Sequence, residues 1–227
     1  MLTGRTRLVG LIGNPVARSL SPAMQNAAFA ARGLDWAYLP LLVEEGRVAD
    51  AIRGLVALGF AGANVTAPYK AEAARLVDTD LDSVNVLVVR GGRVEGRSTD
   101  AAVVKGLTPE RPAILGSGGA AVAFAAALPA ARVFSRRGVW PPDVAGADVI
   151  VNATSERDEI LAALTRGQTL IDLPYPETAT ARAAREAGAT VVTGLEVLVA
   201  QGAESFELWT GEPAPVEVMR AAVGLTA

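Results

Sequence analysis

Short apolar runs alternate with helix-period segments along this chain, and one glycine loop falls at a strand-to-helix junction. That alternation restricts the fold most, because strands joined through helices lie parallel in a sheet covered on both faces. Residues 8–12 and 38–43 read as strands. Between Arg47 and Leu58 the apolar positions Val48, Ala51, Ile52, Leu55 and Leu58 share one helical face, and Gly59 closes the segment. A short strand then carries Asn64 and Val65, and residues 84–89 and 93–97 flank the Gly91-Gly92 turn as a hairpin. A second unit begins after Asp100. Its expected strands are 112–115, 132–135, 148–152, 169–173 and 190–193, with helices from Gly119 to about Leu128 and over 178–187. A long helix over 196–209 and a shorter one after Pro215 end the chain. Strands separated by helices imply a doubly wound parallel sheet. One connection departs from that pattern. Residues 136–147 are near the minimum for a crossover and include Pro141-Pro142 and two glycines, so no full helix is expected, and Trp140 is expected to cover the sheet face instead.

Composition excludes several kinds of chemistry. The 227 residues hold one large domain or two small ones, and with 51% hydrophobic but only 5% aromatic residues the core must be built from Ala, Val and Leu. A formal charge of −3 argues against nucleic acid as a partner. There is no cysteine and no histidine, so disulfides, thiolate or imidazole metal sites and His-based triads are excluded, and no metal is expected. Proton transfer falls to Lys, Asp, Glu or Tyr. No apolar run has transmembrane length and the N-terminus is not a signal peptide, so the expectation is a cytoplasmic protein without a membrane partner.

The loop Gly116-Ser117-Gly118-Gly119-Ala120-Ala121 fits G-x-G-x-x-A after a strand and before a helix. The first glycine permits the turn, the second lets the backbone approach a pyrophosphate, and Ala121 allows close helix–strand packing, so a dinucleotide is expected here. At the end of the next strand an NAD site would carry a carboxylate, whereas this chain has Ser135-Arg136-Arg137. Two guanidiniums suit a 2′-phosphate through charge-assisted, fork-shaped hydrogen bonds, and NADP is favoured; either arginine alone also fits a solvated loop.

Polar residues gather at other junctions. Ser19 and Ser21 flank a helix start, with Ser21 as the expected N-cap, Pro22 as the first helical residue and Gly33 at the end. Backbone N–H groups and the helix dipole favour an anion there. Lys70 follows Pro68 at a helix start, where the dipole disfavours a cation. Asp100 is open to two readings, partner of Lys70 or N-cap of a helix beginning at Ala101. As a pair across a cleft, Lys70 hands a proton to a carbonyl oxygen as hydride reaches carbon, and Asp100 holds it in place. Asn64, Thr66 and Asn85 are neutral hydrogen-bonding groups suited to ring hydroxyls. Asn64 and Asn85 lie among apolar residues, as satisfied core groups or as ligand contacts.

These motifs, in this order, resemble the shikimate dehydrogenase family over nearly the whole chain. The resemblance is carried by Gly13-Asn14-Pro15, Ser19-Leu20-Ser21-Pro22, Asn64-Val65-Thr66-Ala67-Pro68-Tyr69-Lys70, Ser83-Val84-Asn85-Val86 and Ser98-Thr99-Asp100. It continues through the glycine loop, Ser135-Arg136-Arg137, Asn152-Ala153-Thr154-Ser155, Asp172-Leu173-Pro174-Tyr175-Pro176, Gly194-Leu195 with Gln201, and Phe206-Glu207-Leu208-Trp209-Thr210-Gly211. It implies an α/β protein: a substrate domain with a mixed sheet over residues 1–100, completed by helices in 195–227, facing a reduced Rossmann-like NADP domain over 101–194 across a cleft. It implies NADP-dependent interconversion of 3-dehydroshikimate and shikimate, a step toward chorismate and the aromatic amino acids. Ser19 and Ser21 would then bind the carboxylate. Asn64, Thr66, Asn85, Asp100, Tyr175 and Gln201 would meet the ring hydroxyls or the enone. Lys70 with Asp100 would act as acid and base, and Asn152 and Gly194 would lie on the cofactor side.

Departures concentrate on the cofactor side. The segment from Lys70 to Asn85 is short, Val86 and Ala101 replace Thr and Gly, and Glu156-Arg157-Asp158-Glu159 stands where the family has a Gly-Met loop. The alternatives are a quinate or aminoshikimate dehydrogenase using NAD, and a non-catalytic shikimate-binding relative. The sheet face near Trp140 is a candidate homodimer contact.

Overall fold

The computed structural model describes residues 2–225; residues 1, 226 and 227, at the ends of the expected segments, lie outside them. The chain divides into two compact units, one made of the residues up to Thr99 with those from Val199 on, the other of Asp100–Leu198. Among the described residues no helix is long and apolar enough to cross a membrane.

The first unit is built on a five-stranded mixed sheet. β1 (Arg7–Gly13) lies between β2 (Trp36–Leu42) and β3 (Gly62–Val65), parallel to both, and β4 (Val86–Arg90) and β5 (Arg93–Arg97) continue the sheet antiparallel. The β4–β5 turn is the expected Gly91-Gly92 pair, with φ of 56° and 78° that side chains seldom adopt. On one face α2 (Val48–Ala57) packs Val48, Ile52 and Leu55 against Ile12, Ala63, Val65 and Leu87. On the other, α1 (Ser21–Ala31) brings Phe29 to 5.4 Å from Phe206 of α6 (Gly194–Thr210), ring centre to ring centre. Farther along α6, the Trp209 indole donates to the Leu87 carbonyl at 3.0 Å. This needs glycine at position 62, where a Cβ would stand 2.5 Å from the indole nitrogen.

Gly33 ends α1 as expected: Leu34 N–H donates to Phe29 at 3.0 Å and Gly33 N–H to Ala30 at 3.1 Å, the paired bonds of a Schellman motif. The start of α1 differs from expectation. Leu20, not Ser21, is the N-cap, so Ser21 and Pro22 are the first and second helical residues. The Ser19 hydroxyl accepts from the Ser21 N–H at 3.2 Å, which turns the chain into helical geometry one residue early.

The second unit carries β6 (Ala113–Leu115), β7 (Arg132–Phe134), β8 (Val149–Asn152), β9 (Thr169–Asp172) and β10 (Thr190–Val192), all parallel in the order β10-β9-β8-β6-β7. Taken from the β7 edge, the chain order is 2-1-3-4-5. This matches a six-stranded Rossmann sheet, ordered 3-2-1-4-5-6, that lacks its third strand. The topological switch point lies between β6 and β8. Alternation is clean: Ile114, Val151 and Ile171 face Ala121 and Phe124 of α4 (Gly119–Ala127) and its C-cap Leu128, and Leu115, Ile150 and Leu170 face Ala181 and Ala184 of α5 (Ala179–Glu186).

The expectation that helices separate these strands holds for β6–β7 and β9–β10 only. The β7–β8 crossover has no helix, as its prolines require, and Trp140, Val144 and Ala147 pack on the sheet face. The β8–β9 crossover also lacks one. Leu161, Ala162 and Leu164 fill the same face while side chains bind the backbone that a helix would have paired, Thr180 Oγ1 accepting from Leu161 N–H at 3.0 Å. Nor does a full helix begin at Ala101. A single 3-10 turn, Ala102–Val104, follows with Ala101 in the cap position, so Asp100 is no N-cap.

Candidate active site

In the first unit the polar junctions converge because of strand direction. β1 and β3 are parallel and end together, and β4, antiparallel to β3, begins where β3 ends. Asn14 to Ser21, Thr66 to Lys70, Asn85 and Ser98-Thr99 therefore share one end of the sheet. The two strand ends touch: Thr66 N–H donates to Ile12 at 2.9 Å, and a Cβ on Gly13 would lie 2.3 Å from the Thr66 methyl. Close approach of the two loops thus requires glycine at 13. Lys70 is the first residue of the five-residue α3 (Lys70–Ala74), with Glu72 in the same turn.

Behind this end lies a buried amide network. Asn64 donates to the Asn85 carbonyl at 2.9 Å and to Ser205 Oγ at 3.0 Å, and accepts from the Tyr38 hydroxyl at 2.8 Å. Both of its donors are committed inside the protein. Asn85 accepts from Thr99 N–H at 2.7 Å and donates to Thr99 Oγ1 at 2.9 Å and to Gln201 Oε1 at 3.3 Å. It fixes Thr99, the residue before Asp100, and ties Gln201 to the same cluster. Sequence reasoning singled out neither Tyr38 nor Ser205. Ser205 lies four residues beyond Gln201 on α6 and is fully buried, and that helical spacing was the available signal.

Ser19, Ser21, Thr66, Lys70, Asn85 and Gln201 thus belong to one unit, whereas Asp100, Tyr175 and Gly194 belong to the other. Asp100 is buried, at 8% exposure.

In the second unit the glycine loop stands at the switch point. Gly116 has φ +127°, and a Cβ there would meet the Ala153 carbonyl at 2.8 Å. Gly118 is extended, and a Cβ there would meet nothing within 4 Å. Ser117 and Gly118 are exposed at the start of α4, so the backbone is open to a phosphate group, as a dinucleotide needs. After β7 a tight turn, with Gly138 N–H donating to Ser135 at 2.9 Å, presents Arg136 and Arg137 to solvent. Arg136 is not isolated: its guanidinium pairs with Glu159, lies 4.0 Å from the Glu156 carboxylate and sits over the Trp140 ring. Sequence reasoning missed both carboxylates as partners. One Glu156 oxygen accepts N–H groups from Arg157, Asp158 and Glu159, and hydrogen bonds from Asp158 and Arg157 hold that carboxyl below its ordinary range.

Asn152 is fully buried, donating to Asp172 at 2.7 Å and accepting from Thr154 N–H and hydroxyl. Burial raises the Asp172 carboxyl above its usual range, with hydrogen bonds from Asn152 and Thr178 acting the other way. β9 and β10 end side by side, and Gly194 presses so closely on the Leu173 and Pro174 carbonyls that a Cβ would stand 2.5 and 2.4 Å from them. This brings Gly194 beside the segment that carries Tyr175.

Comparison with known proteins gives the arrangement a family. Residues 11–87 match the shikimate dehydrogenase substrate binding domain, and residues 194–223 match the shikimate 5′-dehydrogenase C-terminal domain. The shikimate dehydrogenase (NADP+) of Anaeromyxobacter sp. (strain Fw109-5) is 39% identical, with 98% of each chain covered. A shikimate dehydrogenase crystal structure from Aquifex aeolicus superposes with a TM-score of 0.89 at 30% identity, covering 99% of this chain and all of that one. The Thermus thermophilus enzyme, crystallised with NADP(H) and shikimate, gives 0.86 at 29% identity over 95% of this chain and 98% of its own. The Anaeromyxobacter alignment runs over 272 positions, against 227 residues here. Matched from end to end at this identity, the chain belongs to the shikimate dehydrogenase family, as a shortened member.

Proposed function

We propose that this protein is an NADP-dependent shikimate dehydrogenase interconverting 3-dehydroshikimate and shikimate. The observation that carries the reading is the convergence of Ser19, Ser21, Thr66, Lys70 and Asn85 at one sheet end, built by strand direction and by glycine at position 13. Ser19 and Ser21, beside the N-terminus of α1, hold the substrate carboxylate. Thr66, Gln201 and Tyr175 bind ring hydroxyls or the enone, and Asn85, held in the buried amide network with Asn64, positions Gln201. Lys70 is the acid and base: its ammonium gives a proton to the carbonyl oxygen as the ring carbon is reduced and takes it back in oxidation. Asp100 orients Lys70.

The second unit has the features NADP needs. Gly116, Ser117, Gly118, Gly119 and Ala120 take the pyrophosphate, Ser135, Arg136 and Arg137 the 2′-phosphate, and Gly194 borders the nicotinamide. Asn152 shapes the loop after β8, its oxygen accepting from Thr154 and its amide donating to Asp172. Bound NADPH would supply the hydride, while backbone and side chains of this chain bind, orient and move the proton. The test is absorbance at the reduced-nicotinamide band, with shikimate and quinate each offered with NADP and NAD. Shikimate with NADP should give the highest kcat/KM. Faster turnover of quinate with NAD would replace this reading, and saturable shikimate binding without turnover would make the protein a binding relative.

A further inference from the structure

Leu115 at the end of β6 pairs with Phe134 of β7 on one side and with Asn152 of β8 on the other. Arg136 stands two residues beyond β7, and Glu156 and Glu159 stand four and seven residues beyond β8. All three therefore lie at the carboxyl edge that carries Gly116-Ser117-Gly118. The β8–β9 loop reaches across the end of β6 to pair with the turn after β7. Glu156 is fixed there by three backbone N–H groups, 4.0 Å from the guanidinium. Glu159 is different. Its side chain is 63% exposed and, among the described residues, its carboxylate pairs with Arg136 alone, so rotation about its own torsions suffices to release the ion pair.

We propose that Glu159 is a cofactor-selectivity residue: it holds Arg136 in an ion pair beside the glycine loop and must let it go before the guanidinium takes a 2′-phosphate. The proposal rests on the assignment of Arg136 to that phosphate. A guanidinium that already faces one fixed and one mobile carboxylate offers a phosphate dianion less than a lone arginine would. Part of the phosphate's attraction goes into displacing Glu159, and Glu156 stays behind as a like charge. NAD, which has no 2′-phosphate, meets no such competition. The pair therefore narrows the preference for NADP over NAD that the two arginines would otherwise set.

The test is calorimetric and needs no turnover. Adenosine 2′,5′-bisphosphate and 5′-AMP differ only in the 2′-phosphate, so the ratio of their dissociation constants isolates its recognition. An exposed ion pair of this kind is worth about a twofold to fivefold change in that ratio. Glu159→Gln should raise the preference for the bisphosphate by that factor and leave 5′-AMP affinity unchanged. The gain should disappear in the Arg136→Gln background, since the two residues act through one contact. Equal ratios in the parent and Glu159→Gln, alongside a reduced ratio in Arg136→Gln, would overturn the proposal and leave the Arg136 assignment standing. A gain that persists without Arg136 would also overturn it, by showing plain repulsion. A parent ratio in Arg136→Gln would remove Arg136 from phosphate binding and both conclusions with it.

Discussion

Replacing Asn64 by Leu tests whether its amide serves the fold or the ligand. The side chain is 5% exposed and makes three hydrogen bonds, to Tyr38, Asn85 and Ser205, at 2.8, 2.9 and 3.0 Å. Leucine removes all three at similar volume. The Asn85 carbonyl keeps its bond from Val65 N–H at 2.9 Å, and Ser205 keeps its bond to the Gln201 carbonyl at 2.9 Å, so neither is stranded. The cost is then that of three neutral hydrogen bonds, each worth about 0.5–1.5 kcal/mol net, with the buried Tyr38 hydroxyl losing Asn64 as its acceptor, partly offset by the added apolar burial. We expect a loss of about 1.5–3 kcal/mol, which for a chain of this length lowers Tm by about 3–12 °C. Urea titration followed by circular dichroism measures the first quantity, and a shikimate KM taken well below the transition measures whether binding survives. A positioning residue should lower stability while KM rises less than about threefold. Stability within about 0.5 kcal/mol of the parent together with a tenfold rise in KM would refute the reasoning and return Asn64 to the substrate.

Lys70→Ala should reduce kcat by about 10²–10⁴-fold with little change in shikimate affinity, the scale of a lost acid/base group; retention of a third of the parent rate would remove Lys70 from proton transfer. Gly118→Ala should leave Tm unchanged, because its Cβ meets nothing in the protein, yet weaken NADP binding by calorimetry; Gly116→Ala should lose both, with a Cβ 2.8 Å from a carbonyl at φ +127°. Parent-like NADP affinity in Gly118→Ala would show that no phosphate approaches that backbone. For Asp172, burial raises the folded pKa above 3.8, so folding favours the protonated form. Its contribution is complete below that value and falls as pH rises through the raised one. The stability of the parent relative to Asp172→Asn should therefore decline with rising pH above 3.8, whatever constant offset the lost Thr178 contacts add. A flat or rising difference would contradict the buried-carboxylate account.

Legibility followed the locality of each signal. The Gly91-Gly92 hairpin and the closing glycines at 33, 59 and 188 are set by conformations that only neighbouring residues decide, and all five glycines have positive φ. The Ser21 cap was misplaced by one residue because the deciding contact came from Ser19, two positions earlier. Pro141-Pro142 announced one helix-free crossover. The other, after β8, carried no such breaker, and its helix was pre-empted by side chains of Thr180, Thr154 and Glu156 binding its backbone. Asn64 and Asn85 stood alike in sequence, as amides among apolar residues. What separates them is long-range: Tyr38 and Ser205 close on the first, Thr99 and Gln201 on the second.

The missing strand accounts for the crowding around Arg136. A sheet ordered 2-1-3-4-5 keeps the β6–β8 switch point, and with it the glycine loop, but leaves β7 as an edge with Val133 47% exposed. Arginines guard that edge. Arg132 lies over the Phe134 ring at 5.5 Å and donates to the Ala145 carbonyl, and Arg136 lies over Trp140, which stands where a crossover helix would have packed. Arg136 thus covers the Trp140 ring that packs on the sheet face of the helix-free crossover. A guanidinium stacked on an indole is held in place, and a held cation at the mouth of an anion-binding loop attracts carboxylates from whichever loop lies within reach. The helix-free β8–β9 segment is that loop. The helix-free crossovers and the carboxylate pairing of Arg136 thus go together: without helices between them, the loops that follow β7 and β8 meet at one edge of the sheet.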